Sequence, residues 1–159
     1  MPFTAKLLIL AMAMQVLLTL AILVMMGRER VPRVMSGEIP MADIAVDRAA
    51  YPLRARLLSN NFDNQFQLPV LFYVAALLVL WTGSVGWLEL ILAWLFVALR
   101  YGHAAIHVTT NTLMQRFTVY TAGLAVLAAL WLLLVFRLVI LAPSIRCVSP
   151  VDLPPPLKF

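Results

Sequence analysis

Two twenty-residue runs without a single charge, at positions 7–26 and 117–136, constrain this chain more than any other feature of it. A helix needs about 20 mainly apolar residues to cross the hydrocarbon of a bilayer. The first run is broken only by Gln15 and Thr19. It exceeds a signal-peptide core, and no small-residue cleavage pattern follows it, so it reads as a retained helix. The second run is closed by Arg137, which can snorkel to the interface. The rest of the composition agrees. Of the 159 residues, 64% are hydrophobic and 12% charged, against roughly 45–50% and about 25% in ordinary soluble domains. The mean hydropathy is +0.96. These values exclude a water-soluble globule and a disordered chain. Unbroken apolar runs also argue against a transmembrane β-barrel, which needs alternation.

Two further apolar stretches lie between the clean runs. Residues 68–81 continue backwards through a polar segment from Arg54 to Gln67, and residues 87–99 continue forwards through Arg100, His103 and His107. The Thr82-Gly83-Ser84-Val85-Gly86 segment between them is a tight turn. The two stretches therefore form an antiparallel hairpin whose polar ends meet on one side. The expected fold is all-α, a polytopic four-transmembrane-helix bundle over residues 1–142. Its helices are expected at about 4–26, 54–82, 87–112 and 116–141, with a cytoplasmic loop at 27–53 and a loose Pro-rich tail at 143–159. Pro69 is expected to kink the second helix.

The net charge of +5 fits this topology better than it fits nucleic-acid binding. Eight basic residues (Arg28, Arg30, Arg33, Arg48, Arg54, Arg56, Arg100 and Arg116) fall on the loop side, and four (Lys6, Arg137, Arg146 and Lys158) fall on the other. The positive-inside rule then puts both termini outside the cytoplasm. Trp81 and Trp87 flank the outer turn as an aromatic belt would. The single cysteine, Cys147, can form neither an internal disulfide nor a thiolate metal cluster.

A polar stripe lies within these otherwise apolar helices. Arg56, Asn60, Asn64 and Gln67 are spaced four, four and three apart, with Asn61 and Asp63 beside them. Arg100, His103 and His107 share a face of the third helix, with Asn111 one turn on, and Arg116 and Tyr120 open the fourth. Polar groups at this depth are costly in hydrocarbon and should face protein, water or a ligand. Two readings stay open for any single residue: a solvated headgroup-level position, or interhelical glue. For the group as a whole, four amides, three arginines and two histidines converging from three helices suit a pocket for an anionic polar molecule. The His103/His107 pair has too few partner ligands for zinc. It also lies on one helix, whereas haem between two helices would want histidines on both. No Ser-His-Asp or Cys-His constellation is apparent.

These residues resemble the MAPEG family, the membrane-associated proteins in eicosanoid and glutathione metabolism, and specifically a divergent, bacterial-type member. Asn61-Phe62-Asp63-Asn64 stands where the family has Asn-x-x-Glu, and Arg100, His103, Arg116 and Tyr120 match the spacing of its prostaglandin-synthase branch. His107 replaces that branch's first tyrosine. The resemblance implies a homotrimer in the inner membrane that binds glutathione as co-substrate, with lipophilic electrophiles arriving through the surrounding lipid. It implies a transferase or peroxidase in which Arg116 stabilises the thiolate. Arg56, Asn60, Asn61, Asn64, Arg100, His103, His107 and Tyr120 would hold glutathione. Neutral Asn64 replaces the family's glutamate, and Arg56 is one residue out of register. The alternative is a non-enzymatic protein that keeps the fold and uses the stripe for assembly or lipid headgroups.

Overall fold

The computed structural model describes residues 1–45 and 47–141, and these contain helices and turns but no strand. There are five helices, α1 (Phe3–Met35), α2 (Leu53–Asp63), α3 (Leu68–Trp81), α4 (Trp87–Val108) and α5 (Leu113–Phe136); α1 and α2 are separated by a longer segment with a 3-10 turn at Met41–Ile44, and the rest are joined by short turns. With α2 and α3 taken as one interrupted span, four segments are long and apolar enough to cross a membrane. Cys147 and the Pro-rich tail lie outside the described residues.

Large aliphatic side chains cover the outside of the bundle, among them Leu17, Leu77, Ile91 and Leu132. The interior is built from small residues, with Ala11, Ala75, Ala76 and Ala93 fully buried. This is the arrangement expected when lipid is the solvent, since small residues let helix backbones approach where apolar burial gives no drive. Phe72 of α3 stacks on Phe96 of α4 at 4.9 Å and fills the centre. α4 is the middle member, packed along both α5 and α1.

Three boundaries differ from the sequence expectation. α1 does not stop at 26 but runs nine residues further into the expected loop. A charge ends an apolar span without ending a helix: Glu29 and Arg33 form an i,i+4 ion pair at 3.0 Å that supports the exposed turns. The stop comes at Gly37, whose φ of +75° is the left-handed conformation glycine adopts at a helix C-terminus. At 33 residues, α1 is about 50 Å long and overreaches the ~30 Å hydrocarbon core.

The second difference lies in the second span. Instead of one kinked helix, α2 gives way to a 3-10 turn at Asn64–Phe66, and α3 begins afresh at Leu68. Pro69, now in the first turn of α3, accounts for the break: its ring clashes with the carbonyl four residues back and it has no N–H to bond that carbonyl. Third, α4 ends at Val108 rather than 112, and Asn111 takes a positive φ of 49° in the turn before α5.

Polar groups tie the bundle together at both ends. Gln15 Nε2 of α1 donates to Gln65 Oε1 at 3.0 Å, and Gln65 Nε2 donates to Asn61 Oδ1 at 3.2 Å. Asn61 Nδ2 in turn donates to the Ala104 carbonyl of α4 at 3.2 Å. At the opposite end, Glu89 caps α4 by accepting from the Gly86 N–H at 2.6 Å. Its other oxygen pairs with Arg137 Nη1 at 2.6 Å, and Arg137 Nη2 also donates to Ser84 Oγ. Arg137 therefore anchors the end of α5 to the α3–α4 turn rather than only reaching for the interface. Because Glu89 is buried, Arg137→Ala leaves a carboxylate short of its partner. It should destabilise the fold by about 1.5–3 kcal/mol, the range for hydrogen bonds to charged groups. Denaturation in detergent measures this, and ligand binding at the far end should not change.

Candidate functional site

The break between α2 and α3 sets out the site. The Asn64 carbonyl lies at this break, and Arg100 Nη2, reaching across from α4, donates to it at 2.9 Å. The Arg100 side chain is the largest among those that are fully buried. Its Nε and Nη1 have no hydrogen-bond partner. Asn64 and Gln67 at the break, His103 of α4, and Arg116 and Tyr120 of α5 line a cavity of about 240 Å³, and Arg100 lies behind its wall, bonded to the Asn64 carbonyl. Leu113 and Phe117 complete its wall. The cavity sits at the loop end of the bundle, where α4 turns into α5.

Donors in this site outnumber acceptors. Arg116 Nη1 is held by Asn111 Oδ1 at 2.7 Å, so the left-handed Asn111 positions that guanidinium, while Arg116 Nε is unpartnered. His103 Nδ1 is also buried without a partner, and its ring lies 5.7 Å from that of Tyr120. No carboxylate lines the cavity. The described acids of the loop end that form ion pairs do so elsewhere: Glu29 with Arg33 and Arg54, Glu38 with Arg33, and Asp63 with Arg48 at 2.6 Å. The Asp63 carboxylate, by hydrogen bond and by charge, holds the Arg48 guanidinium above its usual pKa. That pairing turns Asp63 towards the loop and not towards Asn64's cavity. Arg100 and Arg116 each keep an N–H donor unpartnered and pair with no described carboxylate, and a buried polar donor left unmatched is costly.

The structure brings together Asn64, Arg100, His103, Arg116 and Tyr120 of the residues singled out in the sequence. His107 is fully buried behind His103, with ring centroids 5.9 Å apart and neither nitrogen partnered. The other three lie elsewhere. Asn61 belongs to the Gln15–Gln65 network and joins α2 to α4. Arg56 and Asn60 line a second cleft with Asp47 and Arg48. A four-residue step overshoots a helical turn by about 40°, so Arg56 and Asn64, two such steps apart, diverge by about 80°. The break then turns Asn64 and Gln67 further from α2's exposed face. Leu113 and Phe117 were missed by sequence reasoning. Their spacing of three before and one after Arg116, on the helix face that also carries Tyr120, was the available signal.

A bundle of four segments long and apolar enough to cross a membrane, with arginine and histidine side chains gathered at one end, defines an integral membrane protein. The model of the MAPEG family matches residues 8–136, which is most of the chain, and the protein belongs to that family. No curated protein and no solved structure matches it.

Proposed function

We propose that this protein is a glutathione-dependent transferase or peroxidase acting on lipophilic electrophiles, with Arg116 stabilising the thiolate. One observation carries the reading: Arg116 and His103 line a cavity with no carboxylate in its lining, and the buried Arg100, bonded to the carbonyl of its lining residue Asn64, keeps two N–H groups unpartnered. Glutathione brings two carboxylates, amide groups and a thiol that becomes nucleophilic when ionised, and this donor-rich lining suits all but one part of it. The exception is its amine, for which the cavity offers only the neutral side-chain oxygens of Asn64 and Gln67. Binding is therefore expected to rest on the carboxylates. Arg100 and His103 would hold these, with His107 fixing His103 from behind.

The chemistry required of Arg116 is modest. A free thiol has a pKa near 8.5, and lowering it by about two units takes roughly 2.7 kcal/mol of preferential thiolate stabilisation. One aimed guanidinium in a water-poor site supplies energy of that order. The Tyr120 hydroxyl, in the same wall, can donate a second hydrogen bond. Leu113 and Phe117 are exposed on the outer surface of α5 at the rim of the cavity. An electrophile dissolved in the bilayer meets them first.

In this reading the protein is a homotrimer with the cavity near the cytoplasmic face and both termini on the other side, in a bacterial inner membrane. Thermal unfolding with and without glutathione tests the ligand. At a concentration about a hundredfold above Kd, binding adds about 2.7 kcal/mol to stability and raises the melting temperature. No stabilisation at millimolar glutathione would favour the non-enzymatic reading. That reading is supported by the Gln15–Gln65–Asn61 network, in which stripe amides already serve as interhelical glue.

A further inference from the structure

A second cavity lies away from the first, between the projecting end of α1 and the segment leading into α2. It measures about 660 Å³, within the range of roughly 300–1,000 Å³ typical of ligand pockets. Its wall is mostly apolar, with Leu23, Met26, Val34 and Met35 on one side and Met41 and Ile44, the ends of a 3-10 turn over Met41–Ile44, on the other. Met side chains are adaptable lining for a flexible apolar guest.

Three observations define the occupant. First, the cavity begins at Leu23, inside the uncharged run, and extends past Arg28, the first charge on α1 after that run. It therefore straddles the level at which hydrocarbon gives way to headgroups. Second, Arg30 stands in its wall with no carboxylate of the described residues in ion-pair range, although Arg33 and Arg54 share Glu29 and Arg48 holds Asp63. The Arg30 guanidinium lies over the Tyr51 ring, 4.3 Å from its centroid, and its Nη1 donates to the Met26 sulfur at 3.8 Å. Stacking of this kind fixes the guanidinium plane and leaves N–H edges for an anion. Third, Gly27 lies in the wall, in mid-helix, with ordinary backbone angles and nothing within 4 Å of where a Cβ would stand. Neither packing nor conformation requires glycine there. What its missing side chain does is keep the cavity open.

We infer that this cavity is a binding site for an anionic phospholipid of the adjoining leaflet, one acyl chain lying against Gly27 and Met26 and the phosphate on Arg30. The occupant comes from the leaflet and not from water, because the cavity's inner end opens beside lipid-facing α1 residues such as Leu20 and Val24. The site is independent of glutathione. It gives the loop region a lipid-dependent packing partner on the same side of the membrane as the first cavity.

Native mass spectrometry of the full-length protein, with equal amounts of dioleoyl phosphatidylglycerol and dioleoyl phosphatidylcholine, reads the site directly. The wild type should retain one phosphatidylglycerol per protomer, preferred about fivefold over phosphatidylcholine, the factor expected for one basic residue at the membrane surface. Arg30→Gln should abolish the preference while keeping the apolar contact. Gly27→Leu fills the cavity and should cut retention of both lipids, with the melting temperature equal to or above wild type. Equal retention of the two lipids by the wild type overturns the inference. So does undiminished retention in Gly27→Leu, or uptake of added oleate in place of either phospholipid.

Discussion

Arg116→Ala is expected to lower glutathione-dependent turnover of a generic electrophile by about a hundredfold and to erase the thiolate absorbance of bound glutathione. The size of the loss follows from the pKa change, since two units of thiolate stabilisation correspond to about 2.7 kcal/mol. That is two factors of ten in the thiolate fraction near neutral pH. The assembly should survive. Arg116 is only half-buried, and its single hydrogen bond goes to Asn111 in the turn before α5. Losing that bond costs about 0.5–1.5 kcal/mol, too little to unfold a membrane bundle. Arg116→Lys separates charge from shape, since an ammonium retains the field but lacks the planar fork. Partial activity in Lys and none in Ala assigns the effect to charge at the thiolate. Full activity in Ala would sink the assignment of Arg116.

Arg100→Met is expected to act in the opposite direction on the two properties of the protein. Arg100 is 1% exposed, bonds one carbonyl, and has neither a carboxylate nor any other partner for Nε and Nη1. A buried charge without a counter-ion is held at a cost, and apolar replacement of buried ionic groups is often neutral or stabilising by about 1–4 kcal/mol. Met is a flexible, unbranched replacement and suits the apolar surroundings. It leaves only the Asn64 carbonyl unbonded, a penalty of about 1–3 kcal/mol. Unfolding in detergent should therefore show stability equal to or above wild type, while the glutathione-induced rise in melting temperature disappears. If the variant unfolds several kcal/mol earlier, Arg100 is a structural tie between α2 and α4 and not a group held ready for a ligand. The two variants also separate two failures. Loss of binding in Arg100→Met with no change in Arg116→Ala would leave an anion site without thiol chemistry.

The four spans, the hairpin turn and the family were legible in the sequence, because each rests on local composition or on fixed spacings. The Arg100, His103, Arg116 and Tyr120 spacing located most of the cavity, since residues three and four apart on one helix share a face whatever surrounds them. The α2 side was read less well. A face drawn through Arg56, Asn60, Asn64 and Gln67 presumed an unbroken helix, and the break ahead of Pro69 divides it between two clefts. Asn61 could not be told from Asn60 or Asn64 by type. Only the position of Ala104 on α4 shows that Asn61 joins helices. The extension of α1 was hidden because loss of hydrophobicity marks the edge of lipid, not the end of hydrogen bonding.

What the sequence determined by itself is the membrane class, the number of spans and the side on which the basic residues gather. Those follow from transfer energies that each segment pays or avoids alone. The tertiary structure decided which polar groups share a space. Arg100 and Arg116 are sixteen residues apart and on different helices, and their convergence depends on how α4 packs against α5 and on where the second span breaks. Whether an arginine in such a bundle is a counter-ion or a free cation depends on which acids reach it. Asp63, one residue from Asn64, is drawn to Arg48, and so no carboxylate lines the cavity.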